Sequence, residues 1–220
     1  MSAGVAATAK AAVLEAAKTM YARGLVEGTA GNVSSRVDES VVAMTPSSLS
    51  YDEMTIDDIV LVDLDGTVVE GERAATSEKA LHLACYASYP EVTGVVHCHA
   101  PHASMFAVAR QAIPAAIDEF VVYIGGDVPV CEYHPSGSDA LAAEIAAHLA
   151  DRSAALMANH GMVCVGRSAA DALHAALVVE HSARIMWGAK LLGGVVPLPE
   201  DARTTFAGVY DFVRHHMWSA

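Results

Sequence analysis

Val95-Val96-His97-Cys98-His99 carries the strongest structural signal in this chain of 220 residues. Its apolar and β-branched residues predict a buried strand, and alternate residues of a strand point to the same face of a sheet. We therefore expect the imidazoles of His97 and His99 to project together. Two imidazoles on one face can bind one metal ion, and neutral imidazole suits zinc better than calcium or magnesium. The stretch predicts a metal site on a buried strand.

Two further groups could complete such a site. His160 follows a second apolar run at residues 154–158, and Glu78 lies at the start of a predicted helix. Three nitrogens and one carboxylate satisfy the tetrahedral coordination of zinc. A His-x-His pair also occurs in cupins and amidohydrolases, but the first need an almost all-β pattern and the second a barrel of about 250 residues. Strand histidines that bind no metal remain the alternative at this point.

Helices and strands alternate on both sides of the histidine pair. An alanine-rich helix is predicted over residues 5–23, with Gly24 after it, and strands at 41–44 and 59–62 precede an Asp-Gly hairpin turn. The other predicted elements are a helix from Ser77 to about Tyr89, a helix from Pro101, short strands at 120–123 and 128–132, a helix at 140–149, strands at 154–158 and from Met162, and a long helix from Ser168 to Gly193. The interleaving of hairpins and helices predicts an α/β fold in which a largely antiparallel sheet is covered by helices on both faces.

The composition restricts the classes of function. The chain has 13 Lys and Arg residues against 26 Asp and Glu, a formal net charge of −13. Because binding to a phosphate backbone depends on clustered basic residues, no nucleic-acid partner is expected. Hydrophobic residues make up 53% of the chain, but no apolar stretch reaches the roughly 18 residues that span a bilayer, so no membrane partner is expected. The length predicts one domain over residues 1–220.

Two features favour the cytoplasm. Residues 1–10 lack the basic region and apolar core of a secretory signal. The four cysteines, Cys85, Cys98, Cys131 and Cys164, are widely spaced and lie in apolar surroundings, which is typical of reduced thiols. We therefore expect no disulfide.

Three short loops are rich in glycine and in hydroxyl or amide side chains. They span residues 28–32, 45–48 and 76–78 and carry almost no charge. Backbone N–H groups and hydroxyls can hold phosphate oxygens without a basic side chain, and glycine lets the backbone approach a ligand closely. Together the loops predict an uncharged phosphate cradle, although ordinary turn chemistry is the better explanation for any one of them.

Five motifs together resemble the class II aldolase and adducin family in order and separation. They are Gly28-Thr29-Ala30-Gly31-Asn32-Val33-Ser34, Thr45-Pro46-Ser47, Ser77-Glu78, His97-Cys98-His99 and Asn159-His160-Gly161. The resemblance spans about residues 10–195. It is closest to the zinc-dependent fuculose-1-phosphate aldolase branch, to which the ribulose-phosphate 4-epimerases are related.

The resemblance implies a three-layer αβα fold and a homotetramer with fourfold symmetry, in which the active sites lie between neighbouring subunits. It implies one zinc ion per subunit held by His97, His99 and His160, with Glu78 binding the metal first and serving as acid/base once substrate displaces it. The positions that match phosphate contacts in the family are Gly31, Asn32, Ser47, Ser48, Thr76 and Ser77.

The implied reaction is the reversible cleavage of a small ketose 1-phosphate to dihydroxyacetone phosphate and an aldehyde, through an enediolate that zinc stabilises. Epimerisation at carbon 4, decarboxylation and dehydration are alternatives on the same scaffold. A non-catalytic interaction module like the adducin head is a further alternative. An assembly module has no physical need for three histidines and a glutamate in this pattern, which favours an enzyme.

Two departures from the family pattern affect the site. Many relatives have glycine after Thr-Pro-Ser, where this chain has Ser48. Fuculose-type aldolases carry a tyrosine soon after an Ile-Pro pair, whereas here Ile113-Pro114 is followed by Asp118 and Glu119. We expect Asp118 to be the second acid/base, with Glu119 and Tyr123 as the next candidates.

The remaining histidines and the C-terminal tail give weaker expectations. His82 lies four residues after Glu78, so it is either packed or bonded to a ligand of the metal. Tyr210 is expected to be exposed or at a subunit interface. The histidines expected to be structural or solvent-facing are His134, His148, His174, His181, His215 and His216.

Overall fold

The computed structural model describes residues 3–218. The strands in this range form one eight-stranded sheet. Its strands are β1 (Asn32–Arg36), β2 (Val41–Met44), β3 (Val60–Asp63), β4 (Val68–Glu70), β5 (Gly94–Cys98), β6 (Val130–Cys131), β7 (Ala154–Met157) and β8 (Met162–Gly166). Their spatial order is β4-β3-β2-β1-β5-β8-β7-β6. Every neighbouring pair is antiparallel except β6 and β7, which are parallel. The expected largely antiparallel sheet is confirmed.

Helices cover both faces of this sheet. They are α1 (Ala3–Ala22), α2 (Lys79–Ser88), α3 (Pro101–Ala109), α4 (Asp118–Ile124), α5 (Asp139–Ala147), α6 (Ala169–Leu191) and α7 (Glu200–Met217), with a short 3-10 helix at Ile56–Asp58. Within residues 3–218, no helix is both long and apolar enough to cross a bilayer.

Two apolar clusters fill the space between the sheet and the helices on each of its faces. Leu81 of α2 and Ile145 of α5 pack with Val95 on one face of the sheet. Val96, the next residue of β5, belongs to the other face, where Val13 of α1 and residues of α3, α4 and α6 pack. Since successive strand residues point to opposite faces, one strand contributes to both clusters. The three-layer αβα arrangement is confirmed, and it places His97 on the face that α2 and α5 cover.

Strand β1 was not expected, because residues 28–32 were interpreted as a loop and no element was predicted over residues 33–36. Asn32–Arg36 contains two serines, an asparagine and an arginine, which have low strand propensity, yet it lies in the centre of the sheet between β2 and β5. Tertiary pairing therefore overrides local preference. The register places Asn32 directly beside His97, so both side chains lie on the same face of the sheet.

The strand predicted at residues 120–123 is wrong, because this segment belongs to helix α4. Its valines and tyrosine favour a strand locally, but Phe120, Val121 and Ile124 form a helical stripe that is buried. Gly125 ends the helix with φ +98°, a conformation that suits glycine. Burial of this stripe decides the outcome over local propensity.

Two smaller expectations are corrected. Ser77 does not cap α2: Glu78 occupies the cap position, and its backbone N–H donates to Thr76 Oγ1 at 3.3 Å. The tail forms α7, and its Tyr210 is buried and hydrogen-bonded to Ser153 Oγ at 2.8 Å. Tyr210 therefore holds α7 against the sheet and is not an exposed residue.

Candidate metal centre and active site

Three histidines and one glutamate converge at one end of β5. The Nε2 atoms of His97 and His99 are 3.1 Å apart, and ligand atoms of His97, His99 and His160 all lie within 4.8 Å of one another. Glu78 approaches from the start of α2, with Oε2 at 3.0 Å from His97 Nε2 and Oε1 at 3.6 Å from His160 Nε2. These four residues, which we call the histidine cluster, are brought together as the sequence predicted.

Strand ends and a tight turn position the three imidazoles. His97 lies within β5, whereas His99 follows the strand's last residue, Cys98. His97 Nδ1 is 3.0 Å from the carbonyl oxygen of Met162. A carbonyl can only accept, so Nδ1 carries the proton and Nε2 presents its lone pair to the cluster.

The turn that carries His160 depends on two special residues. Asn159 has φ +55°, and its side-chain oxygen accepts two hydrogen bonds from Arg110, at 2.7 and 3.1 Å. At Gly161 an added Cβ would lie 2.4 Å from the carbonyl oxygen of Cys98 and 2.8 Å from the ring of His99. A larger residue at position 161 would therefore push the two histidine segments apart.

Burial sets the charge state of the cluster. It lowers the pKa of His99 to about 4, and it also lowers the pKa of His160, so both rings are neutral near pH 7. Burial alone would raise the pKa of Glu78, but its contacts with His97, Ser136 and Asn32 lower it overall. Neutral imidazoles beside a carboxylate are the donor set that zinc prefers. The residues therefore fit the metal that the sequence predicts.

A buried chain of hydrogen bonds runs from Glu78 into the protein. Asn32 Nδ2 donates to Glu78 Oε2 at 3.0 Å, and His82 Nε2 lies 2.5 Å from Asn32 Oδ1. Because that oxygen can only accept, His82 Nε2 carries the proton, and Nδ1 accepts from Ser34 Oγ at 2.6 Å. Ser34 in turn accepts from the hydroxyl of Tyr86 at 2.8 Å. His82 is fully buried and orients the amide that holds Glu78.

A second contact to Glu78 comes from a segment that sequence reasoning missed. Ser136 Oγ donates to Glu78 Oε1 at 2.8 Å. This serine lies in the loop between β6 and α5, where the Pro-Ser-Gly-Ser composition indicated a turn and nothing more. Its distance of 58 residues from Glu78 in sequence left no local signal.

The three polar loops lie side by side next to the histidine cluster. Thr45 bonds to Val33 in both directions, through its N–H at 3.0 Å and through Oγ1 at 3.2 Å. The N–H of Ser47 donates to the carbonyl of Ala74 at 2.9 Å, and the N–H of Thr76 donates to that of Thr45 at 3.2 Å. These bonds join the segments at 45–48 and 74–77 to each other and to β1, which carries Asn32 beside Glu78.

Gly31 is required where the first loop meets the cluster. It has φ +77°, and an added Cβ would lie 2.6 Å from Val26 and 2.8 Å from the carbonyl oxygen of His97. The hydroxyl of Tyr51 donates to the carbonyls of Ala30 and Gly31 at 2.9 and 2.8 Å. These bonds fix the end of the loop to the segment that carries Tyr51.

The predicted second acid/base is not part of this arrangement. Asp118 is exposed in the first turn of α4, and Glu119 beside it is exposed too. Within residues 3–218, no hydrogen bond or ion pair joins Asp118 to the histidine cluster. In a single chain the cluster therefore has one carboxylate, that of Glu78.

Comparisons with known proteins agree with this geometry. Residues 11–187 match the family described as Class II Aldolase and Adducin N-terminal domain. The chain is 33% identical over 195 residues to a 5-deoxy-D-ribulose 1-phosphate aldolase of Bacillus thuringiensis serovar kurstaki, covering 88% of this chain and 91% of that protein. It is 36% identical over 193 residues to an L-ribulose-5-phosphate 4-epimerase of Salmonella paratyphi B, covering 82% of this chain and 85% of that protein.

A solved structure supports the same assignment. An L-fuculose 1-phosphate aldolase matches with a TM-score of 0.88 and 32% sequence identity, over 93% of this chain and 97% of that one. The family resemblance inferred from five sequence motifs is confirmed. The chain therefore belongs to the class II aldolase and adducin family, and it is an enzyme of the lyase type.

Proposed function

We propose that the chain is a zinc-dependent aldolase that reversibly cleaves a small ketose 1-phosphate, similar to fuculose 1-phosphate, to dihydroxyacetone phosphate and an aldehyde. The observation that carries the proposal is the histidine cluster, in which ligand atoms of three imidazoles lie within 4.8 Å of one another and Glu78 lies 3.0 and 3.6 Å from two of them. Zinc would be held by His97, His99, His160 and Glu78, one ion per subunit. When bound, it would supply Lewis-acid stabilisation of negative charge that develops on the substrate oxygens.

Glu78 is the proposed acid/base. Cleavage requires that a proton leave the hydroxyl next to the breaking carbon–carbon bond and that a proton return to carbon in the donor half. The carboxylate of Glu78 is ionised and held by Asn32 and Ser136. It can accept a proton at either oxygen, and its proton affinity rises when it loses the hydrogen bonds that now stabilise its charge.

The three polar loops beside Glu78 are the proposed phosphate site. They offer hydroxyl and amide side chains in place of basic ones, which matches a chain of net charge −13. Asn32 now donates to Glu78, so its amide becomes available to phosphate when that carboxylate moves. The proposed phosphate-contacting residues are Gly31, Asn32, Ser47, Ser48, Thr76 and Ser77.

We further propose that the enzyme is a homotetramer in which a neighbouring subunit completes each site. Asp118 lies exposed and apart from the cluster of its own chain, so a role as second acid/base requires that it reach the site of another copy. Several large apolar side chains are also exposed, among them Trp187, Val209 and Phe212 of α6 and α7. The cytoplasm remains the predicted location.

Metal analysis and a turnover assay test the proposal together. The purified protein should contain at least one zinc per chain and release dihydroxyacetone phosphate from at least one member of a panel of ketose 1-phosphates. Removal of the metal with a chelator should abolish release, and added zinc should restore it. A protein that binds no divalent metal and turns over no member of the panel would overturn it.

Epimerisation of a ketose 5-phosphate at carbon 4 is the second candidate. It is favoured by the 36% identity to a ribulose-5-phosphate 4-epimerase, and it uses the same metal and carboxylate chemistry. Analysis of the products by NMR separates the two, because an epimerase yields one sugar phosphate and an aldolase yields two fragments. The same spectra would reveal a decarboxylase or dehydratase, while a non-catalytic module would give no product.

A further inference from the structure

A second group of metal-ligating side chains lies between the edge strand β6 and helix α5. The Sγ atom of Cys131, a carboxylate oxygen of Glu144 and an imidazole nitrogen of His148 all lie within 4.8 Å of one another. None of them belongs to the histidine cluster. We propose that Cys131, Glu144 and His148 form a second cation site, for a zinc-like ion.

The elements that present these side chains fix their spacing. Glu144 and His148 are four residues apart at the end of α5, so they lie on one helical face, with Oε1 and Nε2 3.2 Å apart. Cys131 is buried on β6 and faces the layer to which α5 belongs. Ligand atoms around a tetrahedral zinc lie about 3.3 to 3.8 Å apart. The group therefore needs only small side-chain rotations to hold an ion.

The chemistry of the donors indicates the class of ion. A thiolate and an imidazole favour zinc or cobalt over magnesium and calcium, which prefer oxygen ligands. Burial, followed by the charge of Glu144, raises the pKa of the Cys131 thiol to about 12. The thiol releases its proton to solvent when the sulfur–metal bond forms.

The site is open on one side. The side chains of Glu144 and His148 are 26% and 36% exposed, which gives an ion a path of entry. The pKa of Glu144 is lowered first by the backbone N–H of Glu132 and also by His148 and His134. A water molecule would complete the coordination.

The position of the group links it to the first centre. The loop between β6 and α5 begins directly after Cys131 and includes Ser136, which holds Glu78. Glu144 and His148 lie on the helix that follows the same loop. A cation bridging β6 and α5 would thus fix both ends of the segment that supports Glu78. The binding itself does not depend on the function proposed above.

Cobalt provides a direct test, because a thiolate ligand gives a sulfur-to-cobalt charge-transfer absorption that nitrogen and oxygen ligands do not. Metal-free, full-length protein titrated with Co²⁺ should bind two equivalents per chain, one of which produces this absorption. Cys131→Ser should lose the absorption and one equivalent. His97→Ala, altered in the histidine cluster, should keep the absorption.

Two further variants keep the test decisive if Cys131→Ser fails to fold. Glu144→Gln and His148→Gln change partly exposed side chains, and each should weaken the absorbing equivalent by about tenfold or more. Binding of one equivalent without charge transfer in the wild type would overturn the second site. An absorption that persists in Cys131→Ser would overturn it as well. Glu144 would then only protect the edge strand by accepting from the N–H of Glu132.

Discussion

At the scale of single residues, Glu78 has partners that belong to two different roles. Oε2 lies between His97 and Asn32, and Oε1 lies between His160 and Ser136. Two partners are candidate metal ligands and two are hydrogen-bond donors that stabilise its charge. Such a carboxylate could leave a bound metal without becoming unpaired, which suits the proposed alternation between ligand and acid/base.

Glu78→Gln tests this role. Glutamine has almost the same volume and can accept from Asn32, so we expect the variant to fold, but its amide cannot exchange a proton. Turnover should therefore fall about 100-fold or more. Steady-state kinetics with metal analysis measure this, and Glu39→Gln, an exposed change in a distant loop, is the control. A kcat equal to that of the wild type would remove Glu78 from catalysis.

Replacement of Ser48 should change the stability of the protein and its binding of phosphate in opposite directions. Its φ of +57° lies in the left-handed region, which costs a non-glycine residue about 1–2 kcal/mol, while glycine loses about 0.5–1 kcal/mol in chain entropy. Ser48→Gly should therefore stabilise the protein by about 0.5–1 kcal/mol. If the hydroxyl contacts phosphate, KM for the phosphorylated substrate should rise.

The neighbouring serine is the matched control. Ser47 does not have a positive φ, so Ser47→Gly relieves no backbone strain. The added chain entropy of glycine should destabilise the protein by about 0.5–1 kcal/mol. Urea unfolding of both variants measures the difference. Equal shifts in the same direction would contradict the argument from backbone conformation.

At the scale of elements, α2 and β1 are joined by the buried bond between His82 and Asn32. Burial lowers the pKa of His82 from 6.5 to about 3. Between these two pH values the unfolded chain binds a proton that the folded chain does not, so the free energy of unfolding falls as pH falls. The slope from this residue is at most about 1.4 kcal/mol per pH unit.

His82→Gln should remove the contribution of His82 to the pH dependence of the free energy of unfolding. Glutamine offers a donor and an acceptor but does not titrate, so the stability of metal-free protein should depend less on pH between about 6.5 and 4 than in the wild type. Urea unfolding at several pH values measures the slopes. His216→Gln, a change at an exposed site on α7, should leave the slope unaltered. Identical slopes for His82→Gln and the wild type would show that His82 is not held neutral.

The same scale explains what sequence could and could not predict. Most strands and helices around His97, His99 and His160 could be predicted from hydrophobic periodicity and helix-capping residues, because these sequence patterns are local. The helix at Asp118–Ile124 did not, since its valines favour a strand and only burial against α6 and α7 favours a helix. Ser136 was missed because it lies 58 residues from Glu78 in sequence, so no local pattern predicted their contact.

At the scale of the whole molecule, charge opposes the proposed substrate. A chain of net charge −13 repels a phosphate ester over distances of about 10 Å or less in ordinary salt. Attraction must then be local, from the side chains of the three loops and from a cation in the histidine cluster. The proposed neutral phosphate site and the proposed metal centre would together meet this requirement.

The proposed assembly gives the last prediction. If Asp118 acts in the site of a neighbouring subunit, Glu78→Gln and Asp118→Asn damage the same site from different chains. Each variant alone should be nearly inactive. The two variants are mixed in equal amounts, unfolded and refolded together, so that tetramers form at random. About a quarter of the sites should then pair an intact Glu78 with an intact Asp118. The mixture should therefore recover about a quarter of wild-type activity. Refolding each variant by itself is the control. Activity that stays at the level of the separate variants would place both residues in one chain's site or remove Asp118 from it.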